Sequence, residues 1–562
     1  MDPPFRKPPR RKDDRIILQF DYDCFYAQVF ENKDPSLKSK PLGVRQKNIL
    51  ATCNYPARKL GVRKLMLVSE AKRLCPDLVL VDGEDLTSFR DVSKKLFSFF
   101  LSYSWNGKAD RLGFDEVFMD VTDLIAYNLI LLNQHDLQHS FFFLSEKDPE
   151  KGFSFDGTTV PGCIEGVYQA GINHDDPQHL RLMLASHLAY FLRTRLEEDF
   201  GYTSTCGIST NKVLSKLAGA RNKPRNQTTL LASGEEDIVA FMDGHKLRNV
   251  PGIGFKAASL LESHVTRQKF DHGIDSHSFE GSISVAQART CSSVTPALLE
   301  TLLGGPGAEK GVGSRIWGLL HGVDTSEVKK PNNVPSQISI EDTYKGLETM
   351  PQITEELHKL AYSLIRRMRV DLVIEDEDMA EGNMHLRKWL ARPRTLRLAI
   401  RSWPLSGAPQ NQSSYSRISR SGPLPSFVFD LEGEMENLAE RLLSESLLPL
   451  LRRLEPEKGP RWNLQLINIC VANMVQGATN DKHGAGRDIA NMFKHQDEAL
   501  RPWKVVEEPA AEHFNHASDL ASSDENDDCQ WETTDNDVCS VCHSSIPAFA
   551  MLAHVRFHEM GE

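Results

Sequence analysis

The stretch Arg15 to Tyr26, RIILQFDYDCFY, restricts the fold more than any other in this chain of 562 residues. Ile16, Ile17, Leu18 and Phe20 form an apolar run of strand length that delivers Asp21 and Asp23 to its end, with Phe25 and Tyr26 following at once. A carboxylate at the end of a buried strand is costly unless something positive faces it. A divalent cation meets that need, because hard oxygen ligands suit Mg²⁺ and a bound phosphate completes its shell. A plain strand-end turn, in which Asp serves local hydrogen bonding, also accounts for the pattern. A second stretch, RLGFDEVFMDVTD, bears on that choice. Leu112, Phe114, Val117, Met119 and Val121 alternate as in a strand or hairpin, with Asp115 and Glu116 at its turn. If the two strands are neighbours, Asp21, Asp115 and Glu116 converge on one sheet edge. Three carboxylates can hold two Mg²⁺ ions about 3.5 to 4 Å apart, which activates an attacking oxygen and stabilises a leaving phosphate.

Such a length allows several domains. The 10 cysteines follow no regular framework, and no apolar leader opens the chain, so secretion and a disulfide scaffold are not expected. No run reaches the length of a transmembrane helix. The net charge of −11 is unusual for a nucleic-acid partner, but it is unevenly spread. From Trp503 to Val538 eleven acidic residues stand against Lys504 alone, which leaves the rest of the chain near neutral.

Four motifs in order, DYDCFYAQ, TCNYPARKLGV, GFDEVFMDVT and GISTNKVLSKLAGARNKP, resemble the Y-family translesion DNA polymerases. The resemblance covers roughly residues 13 to 475, with insertions. It implies an α+β multidomain right-hand polymerase that adds dNMPs to a primer 3′-hydroxyl on template DNA, with low fidelity and in the nucleus. A ferredoxin-like palm takes residues 13–30 and 98–237, its pieces in the order βαββαβ. An insertion of little periodicity falls at about 127–177. Small fingers take 31–97, a helical thumb 238–325, and an α+β little finger 336–475. A basic arm, 1–12, is read as disordered and as a candidate import signal.

By the same resemblance Asp21, Asp115 and Glu116 are catalytic and hold Mg²⁺, or Mn²⁺, with the Tyr22 carbonyl as a further ligand. Tyr26 is the steric gate whose ring underlies the deoxyribose and leaves no room for a 2′-hydroxyl. Tyr55, Arg58 and Lys223 meet the triphosphate of a dNTP, Arg58 through a fork that matches phosphate oxygens. Gln46 and Ile49 cover the templating base, although read alone they are an exposed Gln and an ordinary strand Ile. Lys216 is expected on phosphate or the DNA backbone.

Other signals stand on the residues themselves. In LRNVPGIGFKAASLL, Pro251-Gly252-Ile253-Gly254 is a helix-hairpin-helix turn. Its Gly252 and Gly254 amides can approach a DNA phosphate, aided by the positive start of the helix near Lys256. A Ser/Gly-rich insertion is expected at about 275–293. Arg397, Arg401, Arg417 and Arg420 lie on or beside alternating strands and are candidates for phosphate contacts, solvated surface being the plainer reading. An acidic linker, 476–535, is read as disordered. Within it, GRDIANMFKHQ spaces Ile489, Met492 and Phe493 like a sliding-clamp-binding turn. Gly486 stands where the usual Gln would be. Cys539, Cys542, His554 and His558 have the spacing of a tetrahedral Zn²⁺ site on a ββα finger at 536–562, whose stability the metal would supply. It resembles the ubiquitin-binding fingers of translesion polymerases, with Arg556 where an Asp is usual. A monomer with no membrane partner is expected. Kept beside the polymerase are a recruitment scaffold with an idle polymerase fold, a deoxycytidyl-transferase-like or kappa-like enzyme of the same family, and a zinc-finger DNA-binding regulator.

Overall fold

The computed structural model describes residues 9–166, 173–267, 283–305, 308–332, 334–375, 387–403, 417–454 and 462–476, and the backbone of two short strands, Asn536–Val538 and Ser545–Pro547. It has two units, Met1–Ala478 and Thr479–Glu562. The described residues make a mixed α+β structure. Among the described residues no helix is long and apolar enough to cross a membrane.

The organising strand is Ile17–Tyr22. Its alternate residues serve two cores: Leu18, Phe20 and Tyr22 join the largest apolar cluster, while Ile17 packs with Phe118 and Val328. A strand apolar on both faces belongs in the middle of a covered sheet, and that is where it lies. The sheet order is Ala109–Leu112, Glu116–Asp120, Ile17–Tyr22, Ser204–Ser209, Gln227–Leu230, Cys163–Glu165. The first four pair antiparallel and the last two add in parallel. With helices Thr87–Leu101 and Pro177–Phe200 between them, the first four have the chain order of a ferredoxin-like unit. Leu184, Leu188, Leu192 and Leu196 recur every fourth residue along Pro177–Phe200 and are buried beneath the sheet.

A smaller three-stranded sheet, in the order Ile49–Cys53, Leu42–Gln46, Val79–Asp82, has its own core of Leu50, Cys53, Ala57, Val62, Ala71 and Leu78. Five short helices between Glu235 and Leu320 form a third core around Met242, Leu247, Val285, Leu299 and Leu320. A second four-stranded sheet, Gln337–Leu347, Leu464–Gln476, Ala391–Ser402, Ile418–Pro423, is antiparallel throughout. Helix Met350–Leu372 lays Ile353, Leu357, Leu360, Leu364, Ile365 and Met368 on one face of it, beside Met435–Leu442. Between helices Met435–Leu442 and Leu448–Arg452 lies a π turn, Leu443–Leu447.

Three local expectations need revision. The stretch at 127–177 is less irregular than its turn residues imply. Ser140–Phe143 and Gly152–Phe155 form a hairpin whose Phe142 is fully buried, and Cys163–Glu165 becomes the edge of the central sheet. Alternating phenylalanines, including Phe153 stacked on Phe191 at 4.5 Å, bury this segment on the long helix. Residues 283–293 are likewise part of the helical body, since Ser284 caps helix Val285–Thr290 and buries Val285 and Ala288. The ordered body also begins before residue 13. The Arg11 side chain is 5% exposed and paired with Asp13, because Asp13 itself is tied to the central sheet through Thr210.

Candidate active site

Antiparallel register sets Asp21 directly opposite Glu116. The hairpin turn before Glu116 needs Gly113 at φ +73, a conformation that favours glycine. It presents Asp115, whose carbonyl accepts the Tyr22 N–H at 2.9 Å. Two chain segments almost a hundred residues apart are thereby locked with three acidic side chains at one sheet end. Helix Lys212–Gly219, capped by Asn211, places Lys216 Nζ 2.6 Å from Glu116 Oε2. The loop after it brings Lys223 Nζ to 2.7 Å from Asp21 Oδ1.

Charge crowding is felt most at Asp115. Its side chain opens onto the cleft, yet withdrawal from bulk water, then the like charges of Asp21 and Glu116, push its carboxyl up to about 6. Such a site favours added positive charge, and hard carboxylate oxygens fit Mg²⁺. Among the described residues no three carboxylate, thiol or imidazole groups are already closed into a metal cage. The two lysines engage Asp21 and Glu116 instead.

A cleft of about 760 Å³ fronts the acids, and Asp21, Tyr22, Tyr26, Tyr55, Arg58, Asp115, Glu116 and Lys223 all line it. Tyr26 lies one residue into helix Phe25–Lys33 and stacks on Phe89 at 4.1 Å, a buried ring that holds its plane. Opposite, Asn54 caps the short helix Tyr55–Lys59 through the Ala57 N–H. There the Arg58 guanidinium lies 4.6 Å over the Tyr55 ring and donates to the Cys53 carbonyl at 3.0 Å. Burial raises the Tyr55 hydroxyl well above its ordinary range, so it stays a neutral hydrogen-bonding group. Arg63 and Lys64 line the same cleft and were not anticipated. The basic run ARKLGVRK was the available signal.

Gln46 and Ile49 face each other across the hairpin of the three-stranded sheet. Gln46 Nε2 donates to the Gly83 carbonyl at 2.9 Å, and Ile49 is 37% exposed. Lys47, between them, reaches the second sheet, where it pairs with Asp342 at 2.5 Å. Asp23 does not join the acids. It lies past the strand end, is 2% exposed, and accepts from Thr203, Thr205 and the Arg225 N–H.

Farther out, Gly252 adopts φ +89 and Gly254 caps helix Phe255–Thr266 with no other atom near its Cα hydrogen side. The first turn of that helix holds no acidic residue, and Lys256 is exposed. By contrast Glu300 accepts from the Gly311 and Gly313 N–H groups and fills the start of helix Val312–Leu320. On the second sheet the pairing places Arg397 and Arg401 on the face opposite the helices, and Arg417, paired with Glu341 at 2.8 Å, reaches across that face. Arg420 opposes Leu398, so it falls on the other face and leaves the arginine set. Cys539, Cys542, His554, His558, Ile489, Met492 and Phe493 lie outside the residues whose side chains are described. The strands Asn536–Val538 and Ser545–Pro547 pair antiparallel around the two cysteines.

An acidic sheet end thus faces a basic, aromatic cleft. The impB/mucB/samB family model matches residues 20–220, and the model of its C-terminal domain matches residues 335–484. Together these take up more than half of the chain, which belongs to that family, the Y-family polymerases.

Among individual relatives it is similar to DNA polymerase iota of Homo sapiens, 32% identical over 460 residues, covering 82% of this chain and 52% of the relative. DNA polymerase iota of Drosophila melanogaster is 34% identical over 359 residues, covering 64% and 42%. DNA polymerase IV of Mannheimia succiniciproducens is 27% identical over 360 residues, covering 63% and 77%. The chain thus spans about half the length of the two iota relatives.

Proposed function

We propose that the chain is a DNA-directed DNA polymerase for translesion synthesis, acting in the nucleus on primer-template DNA and dNTPs. The observation that carries the reading is the register of Asp21 against Glu116, with Asp115 beside them, at the floor of a cleft whose other wall carries Tyr55 and Arg58. In this reading the central sheet is the palm, the small sheet the fingers, the helical body the thumb and the second sheet the little finger.

Two divalent cations, when held by Asp21, Asp115, Glu116 and the Tyr22 carbonyl, supply charge neutralisation at the α-phosphate and make the primer 3′-hydroxyl a better nucleophile. The chain's own residues do the rest. Arg58 and Tyr55 grip the triphosphate, Lys223 shifts from Asp21 toward its phosphates, and charge-assisted bonds there are strongest where charge accumulates. Tyr26, backed by Phe89, excludes a 2′-hydroxyl by contact. Gln46 and Ile49 cover the templating base. Lys216 contacts the DNA backbone. Gly252, Gly254 and Lys256 hold a phosphate of the duplex, and Arg397 and Arg401 hold others on the open sheet face.

The tail is read as recruitment machinery. Cys539, Cys542, His554 and His558 bind Zn²⁺, supported by the strand pair that flanks the cysteines. Ubiquitin and a sliding clamp, the latter through Ile489, Met492 and Phe493, are its proposed partners. One zinc per full chain by metal analysis, lost in Cys539→Ser/Cys542→Ser, is the expected result.

Primer extension with single dNTPs tests the polymerase. The wild type extends, and Asp115→Ala/Glu116→Ala falls by about 10³-fold or more while still binding DNA. A folded, DNA-binding wild type that extends nothing in Mg²⁺ or Mn²⁺ would leave only the scaffold.

A further inference from the structure

Asp23 follows Asp21 by two residues, yet its carboxylate is spent on a loop. Its Oδ1 accepts from Thr205 Oγ1 at 2.9 Å, and its Oδ2 accepts from Thr203 Oγ1 at 2.9 Å and from the Arg225 backbone N–H at 2.9 Å. Arg225 lies two residues beyond Lys223, with φ +48. Its guanidinium is held separately by Glu197, Nε to Oε2 at 2.9 Å and Nη2 to Oε1 at 2.7 Å. Within the loop the Lys223 N–H donates to the Arg221 carbonyl at 2.8 Å. One grip on the backbone and one bidentate grip on the side chain thus fix Arg225, two residues beyond Lys223 in the same loop.

We infer that Asp23 is a positioning residue for Lys223. Asp23 and Glu197 clamp Arg225, and the clamped loop delivers the Lys223 ammonium to the cleft beside Asp21, where the phosphates of a nucleoside triphosphate would meet it. The ligand in this statement rests on the polymerase reading; the clamp rests on the contacts. A lysine on a loose loop would lose loop and rotamer freedom each time it bound phosphate, and a pre-ordered loop avoids that loss.

The chemistry of the clamp separates it from a metal-binding role. Asparagine at 23 can keep every contact: its oxygen replaces Oδ2, and its amide donates to the Thr205 hydroxyl, which reverses its own role. Alanine keeps none. A carboxylate needed for its charge would instead be lost in both variants.

The test is steady-state insertion of one dNTP by the full chain at saturating primer-template. The forms compared are wild type, Asp23→Asn, Asp23→Ala, Lys223→Ala and Asp23→Ala/Lys223→Ala. Wild-type insertion judges the polymerase reading by itself, and its absence overturns that reading and this inference together. With insertion present, Asp23→Ala should raise KM for the dNTP about tenfold with kcat within about threefold, and Asp23→Asn should stay within about threefold of wild type. In the Lys223→Ala background, alanine at 23 should change KM by less than about twofold, because the residue it positions is gone. Asparagine as harmful as alanine, an effect confined to kcat, or an undiminished effect without Lys223 overturns the inference. If Asp23→Ala does not fold, Glu197→Ala, near the end of the long helix, takes its place. A rise of about threefold in KM that vanishes without Lys223 supports the clamp, and an equal rise in both backgrounds overturns it.

Discussion

Lys216 Nζ lies 2.6 Å from Glu116 Oε2, so a helix lysine pairs with one of the acids that would hold a divalent cation. The same holds for Lys223 and Asp21 at 2.7 Å. Among the described residues Asp21 and Glu116 each have an ammonium partner and Asp115 has none, so a cation that uses the first two competes with a lysine.

Lys216→Ala should therefore lower the Mg²⁺ concentration for half-maximal extension, by about two- to fivefold given a part-exposed pair. It should also weaken primer-template binding and reduce its salt slope by about one. A Mg²⁺ titration of extension and a salt series of binding measure the two effects separately. An unchanged Mg²⁺ midpoint would mean that the pair does not compete with the cations.

Asp115 gives the pH dependence. Its carboxyl is raised from 3.8 to about 6 in the folded chain, so between those values the folded state holds a proton that the unfolded state has released. Stability of the cation-free protein should fall as pH rises through that window and level off above it. Asp115→Asn should remove that slope and raise the neutral-pH melting temperature by a few degrees. Added Mg²⁺ should stabilise the wild type more at pH 7.5 than at pH 5, because it binds the deprotonated carboxylate. Thermal melts with and without Mg²⁺ across pH provide the check, and a melting temperature that rises through the window would contradict the assignment.

Tyr26→Ala should cost ribonucleotide discrimination about 10²-fold or more while dNTP insertion falls far less, since a contact that excludes is lost and no charge is moved. Phe89→Ala should relax discrimination in the same direction, because it removes the ring on which Tyr26 stacks. Paired kcat/KM values for dNTP and rNTP measure both.

Arg397→Ala and Arg401→Ala should each weaken DNA binding across all sequences and lower the salt slope by about one per lost phosphate contact. Arg420→Ala, on the other face, should leave both unchanged. If Arg420 behaves like its neighbours, the duplex does not lie on the face opposite the helices.

The continuous apolar run of Arg15 to Tyr26 was enough to place a buried strand, and the acids of the GFDE turn were readable as its neighbours. Both follow from local rules of strand period and turn chemistry, which need no knowledge of distant contacts. The helices around Leu184 to Leu196 and Ile353 to Met368 are legible from another local rule, apolar residues recurring at every third or fourth position. The phenylalanine-rich hairpin at 140–155 was not. Its turn residues hid a strand whose stability comes from packing on Phe191, a partner far along the chain.

The order of amino acids supplies the side chains: three acids, an aromatic after the first, a basic cleft wall and the loop lysine. How they divide is settled by the folded sheet. Asp21 and Asp23 are near-identical in sequence, but the strand ends at Tyr22, so one carboxylate stays at the sheet edge and the other drops into the Arg225 loop. Arg397 and Arg420 likewise differ only in the face that register assigns them. Register and strand ends are set by pairings between distant segments, where a shift of one residue moves a side chain from one face to the other. That is a property of the assembled sheet, and no local stretch of the chain contains it.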